Sequence, residues 1–279
     1  MIFDAHCHAW ERWPYRTSVP DPRTHASTTT LLRRMDENGV GRALIVAANT
    51  GGPGAATDNA HNNRYVRASA AEHPSRLSWV ADVDSRWSPF YHTSGAADRL
   101  EQESAGAQGF THYVRGTDDG WFSDADGHAF FERAVKLGLV ASLHAKPPWF
   151  HSLNELAAQH PELPILLHHQ GHAESDDELS LLAQLSRRSN VFVNISGFRY
   201  VSSLSYPYTD AVERLPRIVD AFGPGRLLWG SDAPVSTQQI SYRATIDLVR
   251  SGLSYLEADD VARIMGGNLG RLLGTGALA

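Results

Sequence analysis

The chain has a single cysteine, Cys7, and only three methionines in 279 residues. One thiol cannot build a disulfide framework or a thiolate zinc cluster, so any metal must rest on imidazole and carboxylate. No run of roughly 20 apolar residues is present to cross a bilayer. No basic tail offsets the formal net charge of −6, which argues against nucleic acid as well as membrane as a partner. Met1 leads straight into Ile2-Phe3-Asp4 without a basic region or a signal-type apolar stretch, so export is not expected and the cytoplasm is the expected compartment. The hydrophobic fraction of 42% and charged fraction of 20% are ordinary for a globular enzyme, and 279 residues can bury a large core without a linker. A small-molecule substrate fits this profile; a homodimer is left open.

Short apolar runs recur at Ile2–His6, Ala43–Ala48, Leu77–Val83, Gln108–Val114, Val140–His144, Ile165–His169, Val191–Ile195 and Arg226–Gly230. Helical spacing or helix-start signals fall between them, at Thr30–Asn38, Asp58–His73, Gly127–Leu137, Phe150–His160, Asp176–Arg188 and Asp210–Phe222. Eight alternating β and α units imply a parallel sheet closed on itself, an α/β fold with one (β/α)8 TIM-type barrel domain over residues 1–279. Tyr255–Leu273 is expected to add a closing C-terminal helix or helix pair. Glu11–Ser27 and Arg86–Ala97, rich in Trp, Pro, Arg and Tyr, follow strand ends and read as loops of the catalytic face.

Among the 14 histidines, His6, His8, His112, His144, His168, His169 and His172 lie at or just past strand ends, as does Asp232. That rim is where barrel enzymes carry their chemistry. His6 and His8 at i and i+2 point to one face of a strand, and the first and last strands of a closed barrel are neighbours, so Asp232 can join them. His144 ends the fifth strand at a rigid Ala145-Lys146-Pro147-Pro148 exit. Strand parity allows only one of His168 and His169 to face the lumen; His169 is favoured, with His168 packed outward or held by a backbone carbonyl. An imidazole cluster with one carboxylate suits Zn²⁺, with Mn²⁺ as an alternative, and can leave a position open for water. The same residues could also work without metal, Asp232 as general base and the histidines as proton donors; the residues alone leave both routes open.

The segments Phe3-Asp4-Ala5-His6-Cys7-His8, Leu166-Leu167-His168-His169-Gln170-Gly171, Asn190–Gly197, Arg226–Pro234 and Gly267–Gly274 together resemble the second amidohydrolase family of metal-dependent hydrolase barrels. Tyr15 to Asp21 and Thr57-Asp58-Asn59 are similar to the dicarboxylate lactonase branch more than to the nonoxidative decarboxylases. The resemblance implies one divalent metal at His6, His8, His144 and Asp232, with His169 as catalytic partner and Asp232 also catalytic. The chain departs from the pattern in carrying His168 where lactonase members often have Asp. No lysine at the fourth strand end suggests a bridging carbamate, which makes the site mononuclear at most.

Arg115 follows the fourth strand, and Arg199 with Tyr200 the seventh; guanidinium groups there suit a substrate carboxylate. Trp10, Trp13, Tyr15, Trp87, Trp121 and Trp149 fall in rim loops and predict an aromatic-walled pocket. The leading expectation is hydrolysis of a lactone or similar cyclic ester of a small carboxylic acid. The alternative is metal-dependent decarboxylation of an unsaturated or aromatic acid, and a third reading is a catalytically silent ligand-binding barrel.

Overall fold

The computed structural model describes residues 1–50 and 59–275. Among them, β1 (Ile2–Cys7), β2 (Val40–Val46), β3 (Leu77–Asp82), β4 (Gly109–Tyr113), β5 (Val140–His144), β6 (Ile165–Leu167), β7 (Val191–Ile195) and β8 (Leu227–Trp229) form one parallel sheet in chain order. The outer layer comprises α1 (Thr28–Glu37), α2 (Asn62–Glu72), α3 (Ala96–Glu103), α4 (Ala125–Lys136), α5 (Phe150–Gln159), α6 (Asp176–Gln184), α7 (Thr209–Glu213), α8 (Leu215–Phe222) and α9 (Tyr242–Gly252). Short helices Ala258–Ala262 and Asn268–Leu272, joined by a π-turn, close the C-terminal end. This is the (β/α)8 barrel the alternation implies. No helix among the described residues is long and apolar enough to cross a membrane.

Helix starts follow local chemistry. Ser27 caps α1 by accepting from the Thr30 N–H at 3.2 Å, and Ser175 with Glu178 forms a reciprocal capping box on α6. The expected helix over 210–222 is two helices, because Pro216 sits in the first turn of α8 and has no N–H to continue α7. The expected helix over 176–188 ends as a 3₁₀ turn at Leu185–Arg187. Helices α3 and α9 go beyond the sequence reading, and α3 takes in Ala96 and Ala97. Asp58, the expected start of α2, and Thr57 lie outside the described residues.

Two apolar layers explain which strand residues face inward. Phe3, Ala5, Leu44, Val46, Val80, Val140, Leu166 and Leu228 fill the barrel, while their sequence neighbours Ala43, Ile45, Trp79, Ala81, Ala141, Leu167 and Trp229 pack under the helices. Strand β1 breaks this alternation. Asp4 pairs with Ala43 and Cys7 with Ile45, three steps on β1 against two on β2, so one extra residue bulges between them. Asp4 therefore faces the helical shell, where it accepts from the Tyr242 hydroxyl at 2.6 Å and from the Ser231 hydroxyl at 2.5 Å. His6 and His8 turn to the lumen.

Beyond β8 the chain meets the end of β1. The Asp232 N–H donates to the His6 carbonyl at 2.8 Å and the His8 N–H to the Ala233 carbonyl at 2.6 Å, drawing the two barrel edges together at the rim. Gly230 permits this approach: a β-carbon there would lie 2.6 Å from the His6 β-carbon.

Candidate active site

A cavity of about 320 Å³ at the barrel rim is lined by His8, His144, His169, Arg199, Tyr200 and Asp232. Asp232, in the left-handed region at φ 53°, points its carboxylate at His6 of β1 and at His8 just past its end. Its Oδ1 lies 3.4 Å from His8 Nε2, 3.8 Å from His6 Nε2 and 4.0 Å from His169 Nε2. Its Oδ2 accepts from the Ser236 hydroxyl at 2.7 Å, which fixes the carboxylate's rotation.

Three of the imidazoles are held by hydrogen bonds. His8 Nδ1 is 2.8 Å from the Val46 carbonyl, an acceptor only, so Nδ1 carries a hydrogen, and Nε2 faces Asp232. His169 Nδ1 meets the Ser196 hydroxyl at 3.0 Å. His168 Nε2 meets the Ser142 hydroxyl at 2.7 Å. His6 is fully buried with neither ring nitrogen hydrogen-bonded.

Burial makes these imidazoles poor bases: it pushes His6 down to about 3, with His8 adding to the effect, and holds His144, His168 and His169 well below the ordinary 6.5. Burial alone would raise the Asp232 carboxyl. The His8 hydrogen bond, the neighbouring imidazoles and Ser236 outweigh it and hold that group below the ordinary 3.8. The result is an ionised carboxylate beside two imidazoles, His6 and His169, that burial holds neutral.

That donor set fits a divalent cation. His6, His8 and Asp232 form one convergent group and His6, His168 and His169 another, the candidate ligand atoms of each within 4.8 Å of one another. Zinc ligands at about 2.0–2.1 Å in a tetrahedron stand about 3.3–3.4 Å apart, the separation of Asp232 Oδ1 from His8 Nε2, with His6 and His169 somewhat farther at 3.8 and 4.0 Å. The backing bonds on His8 and His169 are the outer contacts that orient metal-binding imidazoles. His144 belongs to neither group; it lines the cavity wall, stacked on Tyr113 at 4.9 Å, with its ring 6.3 Å from His169 and 4.5 Å from His172.

The placing of the adjacent pair differs from the expectation. His168, not His169, continues the inward parity of Leu166, and it lies inside the barrel 4.4 Å from the His6 ring. The strand ends at Leu167, and left-handed backbone at His169, Gln170 and Gly171 (φ 49°, 55° and 65°) swings His169 into the cavity as well. Both therefore face inward. Gly197 makes room, since a β-carbon there would stand 2.5 Å from His169 Nδ1.

Arg199 and Tyr200 line the cavity as expected, but Arg115 does not: it is exposed, and its guanidinium lies over the Tyr91 ring at 4.4 Å. Arg86 takes that place, together with Gln238 and Thr17, none of which the sequence reading singled out. Trp13, Tyr15 and Trp87 line the cavity. Trp10 lies beneath it, stacked on His8 at 5.1 Å, while Trp121 packs against Phe130 and Trp149 bonds the Arg115 carbonyl, both outside the cavity lining. The alternation explains Trp121: Phe110 and His112 face outward from β4, and Thr111 and Tyr113 inward.

No curated protein is similar enough in sequence to count as a match. Solved structures share the fold. A zinc-bound amidohydrolase from Burkholderia multivorans is similar with a TM-score of 0.76 at 22% identity, covering 98% of this chain and 99% of that one. A probable 2-pyrone-4,6-dicarboxylic acid hydrolase from Acinetobacter baumannii, with citric acid bound, gives 0.75 at 20% identity and coverage of 98% and 99%. A 5-carboxyvanillate decarboxylase from Sphingomonas paucimobilis gives 0.66 at 17% identity and 98% of both chains. The family model for amidohydrolases matches residues 3–275, nearly the whole barrel just described, and the chain belongs to that family.

Proposed function

We propose that this amidohydrolase opens a lactone or similar cyclic ester of a small carboxylic acid. The observation that carries the reading is the Asp232 carboxylate on the cavity lining, one oxygen locked by Ser236 and the other 3.4–4.0 Å from the Nε2 atoms of His8 and His169, which also line the cavity, and of the buried His6. A general base needs a fixed, ionised oxygen within reach of a water, and Oδ1 supplies it. The Arg86 and Arg199 side chains of the lining suit a substrate carboxylate, and Trp13, Tyr15, Trp87 and Tyr113 a flat ring.

His6, His8 and Asp232 would hold one divalent ion, with His144 and His169 facing the same cavity, and the nitrogen-rich donors favour Zn²⁺. When bound, the ion would polarise the ester carbonyl and acidify water. The residues do the rest. Asp232 Oδ1 takes the proton of the attacking water, while Ser236 keeps that oxygen from turning away. His169, braced by Ser196, stands beside Asp232 to pass the proton to the departing alkoxide.

The deciding experiment assays the purified protein against a panel of carboxylated lactones, with metal content measured before and after chelation. Ring opening that follows metal content and vanishes in Asp232→Asn supports the reading; full turnover in that variant overturns it. Release of carbon dioxide from an unsaturated or aromatic acid would instead identify a decarboxylase.

A further inference from the structure

His92 and His112 lie outside the cavity lining, and the chemistry above makes no use of them. His112 Nδ1 is 2.8 Å from the Val83 carbonyl, His112 Nε2 is 3.0 Å from His92 Nε2, and His92 Nδ1 is 2.7 Å from Asp119 Oδ2. Each of these three contacts needs one hydrogen between its heavy atoms. Two neutral imidazoles beside a carboxylate bring only two. The fully bonded chain therefore carries one proton more than its parts would hold as neutral rings and a free carboxylate.

The surroundings say where that proton's charge sits. The His92 ring lies between Tyr91, 3.7 Å away and 19° from parallel, and Trp121, 4.3 Å away and 7° from parallel. Aromatic faces on both sides favour a cation, and the Asp119 carboxylate completes an ion pair.

The segment between Val83 and His92 brings Arg86 and Trp87 to the cavity. Its near end is tied by the Arg86 N–H to the Tyr113 carbonyl at 2.9 Å and by the Trp87 indole to Asp82 at 3.0 Å. Its far end is tied by His92, and by Arg99 to the Ser94 and Thr93 carbonyls. We propose that His92, as an imidazolium bonded to both Asp119 and His112, is a positioning residue that latches this segment, and with it Arg86 and Trp87, in a proton-dependent way. The value of those two side chains to substrate rests on the proposed hydrolysis; the latch itself does not.

Closing the latch takes up a proton, so it is shut in acid and opens as pH rises. Burial pulls His92 below its ordinary 6.5; the hydrogen bond and charge of Asp119, and the charge of Asp124, push back, while Arg115 lowers it further. His112, taken by burial to about 3, stays neutral as the acceptor, and Tyr91 stays un-ionised at these pH values, pushed up to about 12. Opening therefore falls on the acid side of 6.5.

Two measurements on the intact protein test this without substrate. Nitrogen NMR of histidine-labelled wild type should show both His92 ring nitrogens protonated in acid, and their deprotonation should coincide with faster amide exchange over residues 84–95. After correction for intrinsic rates, the loss of protection should be roughly ten-fold, the equivalent of one charged hydrogen bond. Asp119→Asn is the sharper variant, because an amide N–H can donate to His92 Nδ1 and complete the chain with neutral rings. It should keep the segment protected at every pH, whereas His92→Gln should leave it open at every pH. Exchange in wild type that ignores His92 titration, a neutral His92 throughout, or an Asp119→Asn protein that still opens with pH would overturn the proposal. All three readings are independent of turnover, so they leave the hydrolysis question untouched.

Discussion

Asp232 is joined to His6 twice: its backbone N–H donates to the His6 carbonyl at 2.8 Å, and its Oδ1 lies 3.8 Å from His6 Nε2. The first contact holds the barrel edges together and is made by backbone alone, so Asn at this position keeps it. The second belongs to the chemistry. Asp232→Asn should therefore fold normally while losing roughly 10²–10⁴ in kcat, the range of a general base. Circular dichroism beside steady-state kinetics would check this, and an Asn variant that unfolds would show that the side chain bears on the barrel too.

Gly230→Ala tests the other side of that junction. Its β-carbon would come within 2.6 Å of the His6 β-carbon, with the His6 backbone nitrogen at 3.0 Å, so backbone must give way. The expected outcome is a loss of about 1–3 kcal/mol in stability, typical of overpacking, together with weaker metal binding because His6 is displaced. Thermal unfolding and metal titration read the two effects separately.

Arg86→Met and Arg199→Met remove one guanidinium each from the cavity lining. A charged hydrogen bond contributes about 1.5–3 kcal/mol, so each change should raise KM for a carboxylated lactone roughly 10- to 150-fold with a smaller effect on kcat. Arg115→Met should leave KM alone, since that guanidinium lies on Tyr91. Equal effects at all three positions would mean that only net charge matters.

Acid should weaken the metal-free fold. Burial lowers the folded values of His6, His112 and His172 to about 3, against an ordinary 6.5. Between those values the unfolded chain binds more protons than the native one, so stability rises with pH through that window and is complete above it. A melting temperature that falls as pH drops from 6.5 towards 4 is expected. His112→Phe should flatten part of that slope, and an unchanged slope would remove His112 from the account.

The barrel was readable because eight apolar runs and their caps recur with little interference: Val140–His144 and Val191–Ile195 are strands with the very bounds that patterning suggests. The helix α9 carries a local signal of its own, for Ser241 caps it through the Ala244 N–H at 3.0 Å. The helix α3 was harder, since it begins at a left-handed Gly95 with no side-chain cap. Site residues on regular strand, such as His144, could be placed by alternation. Those whose position depends on irregular backbone could not: the left-handed turn that aims His169, and the loop that brings Arg86 inward while Arg115 folds onto Tyr91, follow from tertiary packing.

The extra residue in β1 lets one strand serve two clients. Up to Asp4 its polar groups answer to α9, and from His6 onward they answer to the hollow. Transplanting the two histidines onto another barrel without that offset would point Asp4 and the pair along the same side, so one of them would be lost to the wrong layer. What must be carried in any such graft is the dislocation together with its letters.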